Sequence, residues 1–462
     1  MTESSRGVIA PHGCPAHPLP LYTREFADDP HATYDELRKH GPAAPVLLAP
    51  DVPATLVTGY DAALQVMQDP ATFRKDPRIW QSTVPTDSPI LAVTSWRENA
   101  LFTDGREHAR LRGAVASSLG RVDLTALRGH VTHIADTLID GFAADGRADL
   151  LHDYAKPLSL RVFTRLFGCP DDLGERLMID TQAIFDGVEP EQANARLDAT
   201  LQELILLKRA QPGHDVVTWL MQHPAQLRDN ELRANLLVMM GAGSEPEAHF
   251  IANALHQWMT DAVFADDLAS GTVLVEDALD DVLWRNPPIA NYCLTYPTHD
   301  VDRFGMTLFA NQPVGLSLAA ANTDPTLPTG QRAGNRAHLA FAPASPHACP
   351  AQRMARLIAY VAVERLLDRL PDLHADPDSG PVRWRMSPFM RGLEALPVRF
   401  PRQHVSAQPP ATPGGPSCSP VQPNAPTFST LAALTSTERP GPFARSGRPR
   451  WWSFLVGWSR GR

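Results

Sequence analysis

Apolar side chains recur three and four residues apart over several long segments of the chain, which is the spacing of one face of an α-helix. Two other stretches, 45–58 and 292–318, are rich in β-branched and aromatic residues and are divided by turn residues, which predicts strands. No internal repeat of roughly 20 to 50 residues is visible. The pattern predicts a mainly α fold with small β-sheets, and its clearest helices are 60–68, 106–119, 124–142, 159–167, 230–259 and 352–370.

The composition of the chain changes sharply near residue 402. The 60 residues 403–462 contain ten prolines and six arginines against a single acid, and a segment of this kind does not support a packed core. We therefore predict one large domain at 21–402, a disordered segment at 1–20, and a disordered, basic, Pro-rich tail at 403–462.

Charge, targeting signals and cysteine content exclude several classes of function. The net charge of -9 argues against a general nucleic-acid binder. No apolar run approaches the roughly 20 residues that span a bilayer, so integral membrane association is not expected. The N-terminus lacks the apolar stretch of a secretory signal, which favours a cytoplasmic protein. The five cysteines are scattered without CxxC spacing, which predicts neither a disulfide framework nor a structural zinc site.

One cysteine, Cys349, stands between a Pro- and Ala-rich loop and the start of the predicted helix 352–370. The unpaired N–H groups and the positive dipole end of a helix lower the pKa of a thiol at such a place, which predicts a thiolate. A thiolate is a nucleophile or a metal ligand, and His347 is badly placed by sequence to act as its general base. For an isolated cysteine, the alternative is a small buried hydrophobe.

The segment around Cys349 resembles the haem-ligand loop of the cytochrome P450 superfamily, whose form is F-x-x-G-x-x-x-C-x-G followed by Ala-Arg in the next helix. The matching residues are Phe341, His347, Cys349, Ala355 and Arg356. The departures are one extra residue between Phe341 and Cys349 and the replacement of both glycines, by Ala344 or Ser345 and by Ala351. The resemblance implies the cytochrome P450 fold, a b-type haem (iron protoporphyrin IX) beside Phe341, and Cys349 as the iron ligand.

A second segment, 101–112, resembles the helix of this family that contacts the haem propionates. His108 and Arg112 are four residues apart and lie on one helical face. The resemblance implies that both bind propionate, together with His347.

The predicted helix 230–259 resembles the distal helix of the same family, whose pattern is A-G-x-[ED]-T. Ala242, Gly243 and Glu245 match, while Pro246 occupies the threonine position. In the family, the small residues leave room for dioxygen, and the acid and the alcohol relay protons. Proline has no hydroxyl and removes a backbone hydrogen bond, so proton delivery is expected to be rearranged or inefficient. The remaining relay candidates are Ser244, Glu245 and Glu247, with an exposed helix acid as the alternative for Glu247.

The segment 276–288 resembles the helix that ends E-x-x-R-x-x-P-P in the family. Counting back from its Pro-Pro pair places Asp281 at the glutamate and Trp284 at the arginine, so the usual buried ion pair cannot form. We expect Asp281 to meet Arg332 or Arg336 from the later loop instead.

The resemblance implies a monooxygenase of secondary metabolism that inserts one oxygen atom from O2 into a small apolar organic substrate. It also implies electrons from a ferredoxin-type partner and a monomeric enzyme. Pro246 and Trp284 keep open a second hypothesis, a haem-thiolate ligand binder or sensor, or a peroxide-driven enzyme with impaired O2 activation. The segments expected to line the substrate pocket are 79–91, 185–194 and 387–390.

Overall fold

The computed structural model describes residues 18–86, 88–186, 189–328, 330 and 332–403. The predicted disordered segments lie outside these ranges, except at their inner boundaries. There, Leu19 and Pro20 form a strand that pairs with Val46 and Leu47, and the backbone N–H of Gln403 donates to the carbonyl of Ala143 at 2.9 Å. Disorder is therefore wrong for Leu19 and Pro20, because their order comes from pairing with a distant strand, which local composition does not reveal.

Helices dominate the described residues. They are α1 (Arg24–Asp28), α2 (Pro30–Arg38), α3 (Tyr60–Gln68), α4 (Arg78–Gln81), α5 (Leu91–Thr94), α6 (Gly105–Gly120), α7 (Leu124–Phe142), α8 (Lys156–Leu166), α9 (Asp171–Asp186), α10 (Pro190–Ala210), α11 (Val216–Met221), α12 (Asp229–Thr260), α13 (Ala262–Ser270), α14 (Val275–Arg285), α15 (Leu318–Asn322) and α16 (Gln352–Arg369), with a π-helical turn at Leu150–Ala155. In this part of the chain, no helix is both long and apolar enough to cross a membrane.

The strands form three small sheets. They are β1 (Leu19–Pro20), β2 (Ala43–Ala49), β3 (Val52–Val57), β4 (Phe73–Arg74), β5 (Arg147–Asp149), β6 (Asn291–Pro297), β7 (Val301–Arg303), β8 (Met306–Leu308), β9 (Val314–Ser317), β10 (His374–Ala375) and β11 (Pro397–Arg399). The largest sheet has the order β1-β2-β3-β9-β6-β4, and the others are β10-β11-β5 and the hairpin β7-β8. The predicted fold class, mainly α with small sheets, is confirmed.

The long helix α12 packs against α8, α10, α14 and α16, which explains its sequence. A helix that is covered on several sides needs apolar residues around most of its circumference rather than along one stripe. Leu236, Met240, Ile251 and Leu255 of α12 are all buried in the main core. Glu231 accepts a hydrogen bond from the backbone N–H of Arg228 at 2.7 Å and so caps the start of the helix.

The helix α12 packs tightly against α8 at Gly243. A Cβ atom added to Gly243 would lie 2.2 Å from Cζ of Phe163, much nearer than real Cβ contacts allow. Beside it, the hydroxyl of Ser159 donates to the carbonyl of Ser244 at 2.7 Å. The absence of a side chain at Gly243 therefore allows the two helices to pack.

We expect Gly243→Ala to lower the free energy of unfolding by about 1–3 kcal/mol, because the added methyl group overpacks the contact with Phe163. Gly113→Ala is the matched control: it also lies inside a helix, α6, but its added methyl would meet no atom within 4 Å. That control should be neutral or stabilise by up to about 1 kcal/mol. Chemical denaturation checks both values, and the double variant Gly243→Ala/Phe163→Leu should recover part of the loss. Equal effects of the two alanine substitutions would contradict the packing role.

Candidate active site

The loop before α16 holds Cys349 through backbone hydrogen bonds. The N–H of Cys349 donates to the carbonyl of Phe341 at 3.0 Å, and the N–H of Ala348 donates to the carbonyl of Ser345 at 3.0 Å. Ala342 has a φ of +48°, in the left-handed region that favours glycine. The conformation expected of a glycine therefore occurs at Ala342, directly after Phe341, and not at the predicted sites Ala344 or Ser345.

Cys349 lies just before the start of α16, and the residue is partly exposed. It accepts hydrogen bonds from the backbone N–H groups of Ala351 and Gln352, and Arg112 is the nearby cation. These groups favour the thiolate, but the protein packed around the sulfur and the nearby Glu247 act in the opposite direction. The pKa of the Cys349 thiol is raised above its usual range, so a lowered pKa is wrong for the polypeptide alone. Formation of the thiolate depends on a further partner such as a metal ion.

His108 and Arg112 of α6 face the same loop. Arg112 donates to the carbonyl of Ala348, and the rings of His108 and His347 stack with their centroids 3.9 Å apart. Burial lowers the pKa of both histidines, that of His347 to about 2, so both imidazoles are neutral near pH 7. Nε2 of His108 and Nη1 of Arg112 are buried without a hydrogen-bond partner. The structure thus brings the three predicted propionate residues together and leaves two of their nitrogen atoms free to bind.

One face of α12 opens into accessible space. Ala242 is exposed and Met239 and Pro246 are partly exposed, while Met240, Ser244 and Glu245 between them are buried. Met239, Ala242 and Pro246 are three and four residues apart and so share a face. The helix continues unbroken through Pro246. Gly243 lies four residues after Met239 and three before Pro246, so it borders the same face, and a side chain at this position would meet the ring of Phe163. The role of Ala242 and Gly243 in leaving room for dioxygen stays a prediction.

The acids of α12 differ in their surroundings. Glu245 is buried, forms an ion pair with Arg385 and contacts Nε2 of His249 at 3.2 Å, and its pKa falls to about 2 because these partners outweigh burial. Glu247 is also buried, and burial raises its pKa well above the usual range. The alternative of an exposed acid is therefore wrong for Glu247. The hydroxyl of Ser244 donates to the carbonyl of Met240 at 2.8 Å.

The buried charges of α14 are arranged differently from the expectation. Asp281 pairs with Arg285 at 2.9 Å and accepts a hydrogen bond from Gln257 at 2.6 Å, so its predicted meeting with Arg332 or Arg336 is wrong. Arg285 can pair with Asp281 because it lies one helical turn after Asp281, on the same face of α14. The guanidinium of Arg332 instead stacks 4.2 Å above the ring of Trp284.

The neighbouring acid, Asp280, forms the buried ion pair. It is fully buried and pairs with Arg356 of α16, while Nε2 of His338 lies 3.6 Å and Nε of Arg336 lies 3.7 Å from its carboxylate. This pair joins α14 to the helix that follows Cys349. Sequence reasoning missed Asp280 because the motif count pointed one residue further, to Asp281.

Three further residues of the site, Lys75, Arg385 and His249, belong to none of the motifs recognised in the sequence. Lys75 is buried beside the two stacked histidines, and Arg385 reaches Glu245 from a segment 140 residues away. No periodicity signals the contacts of Lys75 with His347 or of Arg385 with Glu245, because they join distant parts of the chain. The contact of Glu245 with His249 spans one helical turn, and their spacing of four residues is the signal that could have indicated it.

Comparison with known proteins agrees with this arrangement. The chain is 33% identical over 416 residues to the cytochrome P450 monooxygenase PikC of Streptomyces venezuelae, which covers 87% of this chain and 98% of PikC. It is 28% identical over 407 residues to the 6-deoxyerythronolide B hydroxylase of Saccharopolyspora erythraea, covering 82% and 98%. Its fold matches the structure of CYP154A1 from Streptomyces coelicolor with a TM-score of 0.73 and 28% identity, covering 83% and 100%. No protein-family model matches.

The fold and the cysteine loop define a haem-thiolate class of protein, and the relatives identify it. The chain belongs to the cytochrome P450 family and is an oxidoreductase of the monooxygenase type. Membership implies a haem cofactor. The residues present fit this group: Cys349 is partly exposed, the open face of α12 offers space, and His108 and Arg112 carry unpartnered buried nitrogens suited to carboxylates.

We expect Asp280→Ala to lower the free energy of unfolding by about 3–5 kcal/mol, because it leaves Arg356 buried without its counter-charge. Glu276→Ala is the control on the same helix, since Glu276 and its partner Arg336 are both largely exposed. That exposed pair should contribute less than about 1 kcal/mol. Urea denaturation measures the free energy of unfolding of both variants. Similar decreases in the two variants would show that the Asp280–Arg356 pair is not a principal link between α14 and α16.

Proposed function

We propose that this protein binds b-type haem through Cys349 and inserts one oxygen atom from O2 into a small apolar organic substrate. A ferredoxin-type protein supplies the electrons, and the enzyme acts as a monomer. The observation that carries the proposal is the convergence of three features: the sulfur of Cys349, the unpartnered nitrogens of His108 and Arg112, and the open face at Ala242. The domain that carries this activity is proposed to be 21–402, extended by the few ordered residues on either side.

Each residue has a defined task in this proposal. Cys349 holds the iron, and the backbone N–H groups of Ala351 and Gln352 bond to its sulfur and keep it in place. His108, Arg112 and His347 bind the carboxylates of haem. When bound, haem supplies the oxygen chemistry, because a thiolate ligand favours cleavage of the O–O bond. Phe341 supports the loop through its backbone carbonyl, which accepts from Cys349.

An apolar substrate is supported by the residues that surround the expected pocket. Two of the three predicted segments, 79–91 and 387–390, meet in one apolar cluster that also includes β6. Its members from these elements are Trp80, Val84, Ile90, Leu294, Tyr296 and Phe389. The side chains of 185–188, in the third segment, lie outside the described residues. The hydroxylation named for the relative from Saccharopolyspora erythraea supports a place in secondary metabolism.

Pro246 favours a second candidate function, a haem-thiolate ligand binder or a peroxide-driven enzyme. Because Pro246 has no backbone N–H, the carbonyl of Ala242 lacks the hydrogen-bond donor that it would normally have in a helix. Ala242 belongs to the open face of α12. Water bound at that carbonyl would be the replacement for the absent hydroxyl. Glu245 is the proposed acid of the remaining proton path, since it precedes Pro246 and bonds to His249.

We expect the reduced, carbon monoxide-bound wild type to show the strongly red-shifted Soret band of a thiolate-ligated haem. Cys349→Ala should lose this band, because no other residue is proposed to ligate the iron. Cys169→Ala is the control: Cys169 is the other free cysteine whose side chain is described, and it lies near Lys208 and Asp215 rather than in this loop. A band that persists in Cys349→Ala, or a histidine-type spectrum in the wild type, would refute the proposed ligand.

We expect the wild type to be poorly coupled, with reductant lost to peroxide rather than to product, because position 246 has no hydroxyl. Pro246→Thr should raise the product formed per reductant consumed, by up to about 100-fold, the usual scale of a positioned proton donor. Pro246→Ala restores the backbone hydrogen bond without a hydroxyl and should give no such gain. Glu245→Gln should lower turnover further.

The measurement is coupling efficiency with a substrate first identified by its effect on the haem spectrum. If Pro246→Ala raises the coupling efficiency as much as Pro246→Thr does, then the backbone hydrogen bond and not the hydroxyl limits coupling. A well-coupled wild type that Glu245→Gln leaves unchanged would show that protons enter by another route.

A further inference from the structure

We propose that Lys75 is a further basic ligand for the carboxylates of haem, beside His108 and Arg112. This inference rests on the proposed function, because it assumes that haem occupies the site. Lys75 belongs to none of the motifs that predicted the site, and its neighbours in the sequence predict no role for it.

The strand pairing of β4 with β6 fixes the place of Lys75. Phe73 pairs with Pro297 and Arg74 pairs with Tyr296, so the next residue of the chain lies opposite the middle of β6. The ammonium of Lys75 donates to the carbonyl of Leu294 at 3.1 Å. Its backbone N–H donates to the carboxylate of Asp104 at 2.9 Å. Both ends of the residue are thus held, which limits the positions that the ammonium can reach.

Lys75 lines a cavity together with one of the predicted propionate residues, His347. This cavity of about 20 Å³ is also lined by Thr295 and Ser345, among others. Lys75 lines a second cavity, of about 10 Å³, together with Phe102 and Leu294. A space of this size holds a single small polar group such as a water molecule. The ammonium therefore borders the cysteine loop at His347.

Lys75 is 8% exposed and lies among other charged groups. Its charge adds to burial in lowering the pKa of both His108 and His347, so its positive charge acts on both rings. Arg112 acts on the same two rings, while Asp104 faces Lys75 and Arg74 and has Asp76 as a neighbouring acid. Because both imidazoles are neutral, Lys75 and Arg112 are the groups beside them that attract a carboxylate of haem.

The test compares Lys75→Met, which keeps the shape but removes the charge, with Lys75→Arg, which keeps the charge. Lys39→Met is the matched control, because Lys39 is exposed and pairs only with Glu36 on the surface. Two properties of the haem-loaded protein are measured: the rate of haem transfer to excess apomyoglobin, and the ferric–ferrous midpoint potential. A melting temperature is recorded for each variant.

We expect Lys75→Met to lose haem about ten-fold faster than the wild type, the factor that corresponds to a charge-assisted hydrogen bond. Its midpoint potential should become more negative, because a nearby cation stabilises the reduced haem. Lys75→Arg should restore both values towards the wild type, and Lys39→Met should change neither.

Unchanged haem transfer and potential in Lys75→Met would overturn the inference, and so would a lower melting temperature without a change in potential, which indicates a structural role alone. A wild type without a thiolate-type carbon monoxide spectrum would overturn the proposed function itself. The two failures are distinguishable, because the first occurs in a protein whose wild type shows that spectrum.

Discussion

The position of the Cys349 sulfur depends on how its loop is tied to the helices around it. The loop is closed by the hydrogen bond from Cys349 to Phe341, and it is joined to α6 by the bond from Arg112 to Ala348 and by the stacking of His108 on His347. The same two residues of α6 also carry the nitrogens left for the cofactor. Under the proposed function, one set of side chains both orients Cys349 and binds the carboxylates of haem, so neither role is independent of the other.

Buried charge is the second constraint on this structure. Glu245 and Glu247 are two residues apart on α12, yet their pKa values move in opposite directions. Glu245 has Arg385 and His249 as partners, while Glu247 is surrounded by protein without a cation, so burial favours its protonated form. The same physics explains the pair of Asp280 with Arg356, since an ionised group in the interior is stable only with a partner. In this chain, Trp284 cannot form the ion pair of the family motif, and Asp280 of the same helix forms a buried pair with Arg356 instead.

The continuity of α12 through Pro246 shows how packing outweighs local propensity. Proline inside a helix costs about 3 kcal/mol, yet α12 is held by α8, α10, α14 and α16 along its length. The resulting defect lies on the open face, at the carbonyl of Ala242 and not in the core. The fold thus accommodates the proline, and the effect that we propose for it is on the chemistry at that face.

The sequence by itself determined the fold class, most of the long helices, and the cysteine at the start of α16. These features follow from periodicity and from a local motif, and both are properties of neighbouring residues. The segment 101–112 also placed His108 and Arg112 on one face for the same reason. The observed α3 and α7 coincide with the predicted 60–68 and 124–142.

Only the tertiary structure decided which side chain packs against Gly243, which arginine reaches Asp280, how Glu245 and Glu247 are ionised, and where Lys75 lies. Each of these depends on contacts between distant segments, such as Gly243 with Phe163 and Asp280 with Arg356. A motif fixes the order of residues along one element, but the angle and distance between packed elements decide which side chains meet and how much water remains around them. Charge state and partner choice follow from that packing, and for this reason the sequence did not reveal them.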